Sequence, residues 1–153
     1  MMTHRYPSMT ILSAEDDLDD CRLMEEAFRE TGQDNRLFFV KDGVSLLEYL
    51  RRQGGFASPT KAPRPDLILL DLNMPGMDGR ESLAEIKSDP DLRAIPVVVL
   101  TNSNAEDDIL NTYDRGGAGF IIKPSSFEGM LDVVKCLSEY WFNIVELVDQ
   151  NRV

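Results

Sequence analysis

Four short apolar runs, each closing on polar or charged residues, constrain this chain more than any other feature. Thr10-Ile11-Leu12-Ser13-Ala14 leads into Glu15 and Asp16, and Leu67-Ile68-Leu69-Leu70 into Asp71. Val97-Val98-Val99-Leu100 leads into Thr101, and Phe120-Ile121-Ile122 into Lys123. Short apolar runs bounded by turn signals read as strands covered on both faces. Laid side by side and parallel, they would gather three carboxylates, a hydroxyl and an ammonium at one edge of a sheet. That is an acidic metal pocket with a nucleophile in it.

Between these runs lie segments of helical period, and the alternation argues for an α/β domain with a parallel sheet. A helix is expected from about 18 to 31, with Cys21, Met24, Ala27 and Phe28 as its buried stripe and Gly32 as its stop. Leu37-Phe38-Phe39-Val40 reads as the second strand, and Asp42-Gly43 turns into a helix bearing Leu46, Leu47 and Leu50. The stretch 53–65, with Gly54, Gly55, Pro59, Pro63 and Pro65, reads as an irregular surface loop. Helices over about 80–87 and 106–113 follow the third and fourth strands.

The last helix is expected to begin near Ser126 and to reach Val148. At 1.5 Å per residue it would extend roughly 30 Å or more, past a strand of about 17 Å. Its outer half carries Trp141, Phe142, Ile144, Val145 and Leu147. The plain reading is extra core cover, and the favoured one is a partner or self-association surface.

A chain of 153 residues with 42% hydrophobic residues suits one soluble domain. No apolar stretch approaches a membrane span, and residues 1–9 lack an apolar leader segment, so the expected location is cytoplasmic. With 27 acidic against 16 basic residues the net charge is −11. No clustered basic face is present to neutralise phosphates, so nucleic-acid binding is not expected. Cys21 and Cys136 lack metal or redox spacing and read as small buried hydrophobes. A disulfide stays open, because their helices could share one face of the sheet.

If the strand order is 2-1-3-4-5, the first and third strands meet where the order reverses, and Glu15 and Asp16 face Asp71. Carboxylates that close demand a cation, and an all-oxygen pocket suits Mg²⁺ best, with Mn²⁺ or Ca²⁺ able to substitute. A cation and Lys123 beside a carboxylate suit phosphoryl transfer, with Asp71 attacking phosphorus and Thr101 donating to the product. Taken singly, Thr101 reads as a strand-end cap and Lys123 as a surface lysine. Asp17, Asp19 and Asp20 read as anions favoured at a helix N-terminus. The ordered set is what carries the argument.

On these residues, and on Leu70-Asp71-Leu72-Asn73-Met74-Pro75-Gly76-Met77-Asp78-Gly79 and Lys123-Pro124, the chain resembles the receiver domains of two-component response regulators. The resemblance implies a flavodoxin-like, doubly wound, five-stranded parallel sheet in the order 2-1-3-4-5, with five helices and the last one extended. It implies a single receiver domain over 1–153, with a core at about 9–137 and a helix extension and tail at 138–153. Asp71 would be the phosphoacceptor. Glu15, Asp16, Asp71 and the main-chain carbonyl of Asn73 would hold Mg²⁺. Thr101 and Lys123 would contact the phosphoryl group, Thr101 and Phe120 would be the switch, and Lys123-Pro124 would be a cis bond.

Tyr49-Leu50, Leu92-Arg93-Ala94-Ile95-Pro96-Val97 and Tyr140-Trp141-Phe142 extend the resemblance to the small stand-alone receivers of phytochrome-type histidine kinases. The partners implied are a sensor histidine kinase and a second copy, paired through the last helix and its adjoining face. The expected protein is a phosphorylatable switch with no DNA-binding output domain. It is not an enzyme beyond Mg²⁺-dependent phosphorylation and dephosphorylation of itself. The competing reading is a receiver-like interaction module indifferent to phosphate. A phosphohydrolase would carry a second acid two residues after its nucleophile, and Asn73 stands there instead.

Overall fold

Hydrophobic alternation along the third strand shows how this sheet is buried. Leu67 and Leu69 point into one core layer, and Ile68 and Leu70 into the other, all at most 1% exposed. The computed structural model describes residues 9–31 and 34–150. The expected helix stop at Gly32, the absence of a leader in residues 1–8 and the last three residues of the tail fall outside these. The elements are β1 Thr10–Ala14, α1 Leu18–Glu30, β2 Arg36–Val40, α2 Gly43–Arg51, β3 Leu67–Leu70 and α3 Gly79–Ser88. They continue with β4 Val97–Thr101, α4 Glu106–Asp114, β5 Gly119–Ile122 and α5 Phe127–Ser138. All strand pairs are parallel and the order is β2-β1-β3-β4-β5, the doubly wound arrangement expected.

One layer packs Leu46, Leu47 and Leu50 of α2 and Leu83 and Ile86 of α3 on the sheet. The other packs Met24, Ala27 and Phe28 of α1 with Met130, Val134 and Leu137 of α5. Side chains cap the N-termini of four helices: Asp17 for α1, Asp42 for α2, Asp78 for α3 and Ser126 for α5. Each satisfies amide donors that the first helical turn leaves unpaired. The loop 53–65 is irregular apart from one 3₁₀ turn at Gly54–Phe56. Tyr49 holds it down, donating its hydroxyl to the Pro63 carbonyl at 2.8 Å and packing its ring on Phe56.

Three expectations are corrected. The last helix is extended as expected but stops at Ile144 instead of running straight to Val148. After Ser138 it widens into a π-helical turn, Glu139–Ile144, and Val145 is extended. The wider turn sets Phe142 into the core at 1% exposure, and burying that ring outweighs the regular helix it displaces. The tail then reaches the loop before β3, where Gln150 accepts from Arg64 Nε at 2.8 Å. Cys136 is exposed rather than core, because it lies on the outward side of α5. Both cysteines are free, so the disulfide left open is not formed. Every described peptide bond is trans, Lys123–Pro124 included. Trans is the intrinsically favoured isomer, and from it the lysine still reaches the acidic cluster.

Candidate functional site

The strand register brings the site together. Ala14 pairs with Leu70, so the residues that follow them, Glu15 and Asp71, emerge side by side at the carboxyl edge of the sheet. Backbone bonds fix both: Glu15 N–H donates to the Val40 carbonyl, and Asp71 N–H to the Ala14 carbonyl. Thr101 closes β4, and Lys123 follows β5 with its amide on the Thr101 carbonyl. Gly79 allows the chain after Asp71 to fold back tightly, since a Cβ there would lie 2.2 Å from the Asp71 carbonyl oxygen.

Asp71 is 5% exposed and its two oxygens have different partners. Oδ1 accepts from the Thr101 hydroxyl at 2.8 Å and from the Asn73 amide at 3.1 Å. Oδ2 lies 3.2 Å from Lys123 Nζ. That ammonium is buried and also meets Glu15 Oε1 at 2.6 Å and Asp20 Oδ2 at 2.8 Å, so three carboxylates share its three protons. Burial pushes the Glu15 carboxyl up to about 7, against the pull of Lys123. Burial by itself would lower Lys123, but its bonds to Asp20 and Glu15 outweigh that and hold the ammonium charged.

Glu15, Asp16 and Asp71 each offer a carboxylate oxygen, all within 4.8 Å of one another. Glu15 and Asp71 are buried while Asp16 is exposed, so the cluster opens to solvent on one side. Three hard oxygen donors with an open side fit a divalent cation that keeps part of its water.

The structure thus brings together Glu15, Asp16, Asp71, Thr101 and Lys123. Asn73 adjoins them through its amide, with its side chain exposed. Phe120 stands apart on β5, opposite Val99, half-buried at the wall of an apolar groove. Asp20, read from sequence as a helix-start anion, is a partner of Lys123; its place one helical turn after Asp16 was the available signal. Arg80, Ser103 and Asp108 form a second polar cluster beside the site, with no local signature in the sequence.

Grooves lie elsewhere on the described residues. One of about 680 Å³ lies at the opposite pole of the sheet, near Arg52, Arg64 and Gln150, away from the convergent polar groups. Another, of about 510 Å³, runs between α4, β5 and α5 past Tyr113, Phe120, Cys136, Tyr140 and Trp141.

Residues 11–135 match the family model of the response regulator receiver domain. Response regulator Rcp1 of Synechocystis sp. is 40% identical over 147 residues, covering 96% of this chain and 98% of the relative. The crystal structure of the phosphorylated cyanobacterial phytochrome response regulator RcpA is 43% identical, with a TM-score of 0.86 over 93% of this chain and 99% of that one. The Mn²⁺-bound form of Rcp1 is 39% identical, with a TM-score of 0.83 over 92% of this chain and 99% of that one. A doubly wound sheet with this acidic edge therefore has its relatives among signalling proteins, and the chain belongs to the response regulator receiver domain family.

Proposed function

We propose that Asp71 accepts a phosphoryl group from the phosphohistidine of a sensor kinase, and that the chain signals by the change this produces. The observation that carries this reading is the pairing of one buried carboxylate with a hydroxyl on one oxygen and an ammonium on the other. An Asp71 oxygen attacks phosphorus in line as the P–N bond breaks, and the histidine nitrogen keeps the electron pair. Lys123 faces the charge that gathers on the phosphoryl oxygens, and Thr101 donates to one of them. Glu15, Asp16, Asp71 and the carbonyl of Asn73 would hold Mg²⁺, which supplies further neutralisation of phosphoryl charge. Mn²⁺ is a natural substitute, and a relative's Mn²⁺-bound form supports it. With Glu15 among the residues that would hold the cation, Asp20 would keep Lys123 aligned.

The Thr101 hydroxyl, already on Asp71, would pass to the phosphoryl group, and that change of partner lets Phe120 repack and alters the groove along α4, β5 and α5. Phe120 has no hydroxyl, so this switch is steric. Exposed apolar groups on these elements support pairing of two copies there. That RcpA is a phytochrome response regulator supports a phytochrome-type kinase as the donor.

The test is intact mass spectrometry after incubation with Mg²⁺ and acetyl phosphate. Wild type gains one phosphoryl group and Asp71→Asn none. Equal labelling of both, or of neither, removes Asp71 as acceptor.

A further inference from the structure

α4 is the least anchored helix of the fold. Thr112 is its one buried residue, and Ala105 at its N-cap offers no side-chain acceptor, unlike the caps of the other four helices. Charge fastens its first turn instead. Arg80, near the start of α3, donates from Nε and Nη2 to the two oxygens of Asp108, each at 2.6 Å. Two parallel bonds between a guanidinium and a carboxylate form the strongest and most directional ion pair available to side chains. Bonds from Arg80 and then Ser103 hold the Asp108 carboxyl down at about 2.

The pair reaches Asp71 from both sides. Arg80 follows Gly79, whose amide donates at 3.0 Å to the carbonyl of Leu72, the neighbour of Asp71. Arg80 Nη1 lies 3.3 Å from Asp78 and 3.5 Å from the same Leu72 carbonyl. On the other side Asp108 Oδ2 accepts from the Ser103 hydroxyl at 2.5 Å, and Ser103 stands two residues after Thr101. Thr101 then closes the ring on Asp71 at 2.8 Å. Within 102–105, Asn102, Asn104 and Ala105 are exposed, and the half-buried Ser103 links the two ends: its hydroxyl donates to Asp108 and its amide lies 3.5 Å from the Thr101 hydroxyl.

We infer that Arg80 and Asp108 are positioning residues for the phosphoryl chemistry: their ion pair, through Ser103, fixes the segment after β4 and keeps the Thr101 hydroxyl on Asp71. The inference rests on the phosphoacceptor reading of Asp71.

Its test is the rate of aspartyl phosphate formation from acetyl phosphate and Mg²⁺, with melting temperature and hydrogen exchange measured on the same samples. Arg80→Gln and Asp108→Asn should each slow formation about 10-fold, a part of the roughly 100-fold that a misplacement of about 1 Å can cost. Arg80→Lys should recover part of the loss, as a point charge can pair with Asp108 without the fork. On a Thr101→Ala background Arg80→Gln should cost nothing further, because the effect runs through Thr101. Wild-type rates in both single variants, or an undiminished Arg80→Gln effect on that background, overturn the inference. Wild type taking no phosphate would instead sink the phosphoacceptor reading. The hold of the Arg80–Asp108 pair on the segment is then judged by exchange alone: Arg80→Gln must speed amides 102–110 selectively, and unchanged exchange there overturns it.

Discussion

Lys123 shows how much chemistry one buried side chain organises. It is 3% exposed and offers three protons to Glu15, Asp20 and Asp71. Removing it would leave three carboxylates around an empty centre, a buried charge imbalance that costs several kcal/mol or forces protonation. Glu15 already shows that stress, its carboxyl raised to about 7 from 4.5 chiefly by burial. A carboxyl raised by folding holds a proton that the unfolded chain has lost, so between those two values native stability falls as pH rises. The cation-free protein should therefore lose melting temperature from about pH 5 to about pH 8, and Glu15→Gln should flatten that slope. A divalent cation needs the ionised carboxylates, so Mn²⁺ should raise the melting temperature more at about pH 8 than at about pH 5. An equal rise at both would mean that Glu15 takes no part in holding it.

Among the elements, strands were far more legible than the helix ends. Each apolar run marked its strand to within a residue; β1, β3 and β4 are buried along their whole length as such runs imply, whereas β2 and β5, at the sheet edges, are partly exposed. The site followed from what stands just past those runs, so Glu15, Asp16, Asp71, Thr101 and Lys123 could be named before any fold was known. Asp108 could not, since its value lies in Arg80, 28 positions away, and nothing local marks that pairing. Nor could the π-helical turn at Glu139–Ile144, whose apolar pattern reads equally well as regular helix. Tertiary burial decided it: Phe142→Ala should destabilise by about 3 to 5 kcal/mol in chemical denaturation, as for other fully buried aromatics. A cost below about 1 kcal/mol would return this segment to the surface role read from sequence. For α4, the Asp108 carboxyl is held at about 2 against an ordinary 3.8. Its contribution is complete above pH 4 and is lost as pH falls toward 2, with a ceiling of about 2 kcal/mol. Acid melting curves of wild type and Asp108→Asn should therefore converge at the low end, and curves that stay parallel would deny the pair its energetic role.

At the scale of the whole molecule, two opposing terms govern self-association. Among the described residues, five of the eight exposed large hydrophobics, Leu110, Tyr113, Ile122, Tyr140 and Ile144, lie on α4, β5 and the last helix. Tyr113 and Tyr140 line the groove that contains Phe120 and Trp141, against β5 at the open edge of the sheet. Covering one such side chain contributes roughly 1.5 to 3 kcal/mol, enough for a tenfold or greater change in affinity. Against this stands a charge of −11 on each copy. Like charges repel over about 10 Å at moderate salt, and added salt shortens that reach. Pairing through an apolar face between two acidic bodies should therefore tighten as salt rises, opposite to an association built on ion pairs. Sedimentation with Mg²⁺ and beryllofluoride across about 0.05 to 0.5 M salt should show it, with Tyr140→Asp weakening the dimer about tenfold or more. Asp71→Asn separates the terms further: if phosphorylation drives pairing, only wild type responds to beryllofluoride, whereas a fixed scaffold pairs in every condition. A monomer throughout would mean that this face is covered by a different protein, and that the signal leaves the molecule without a second copy.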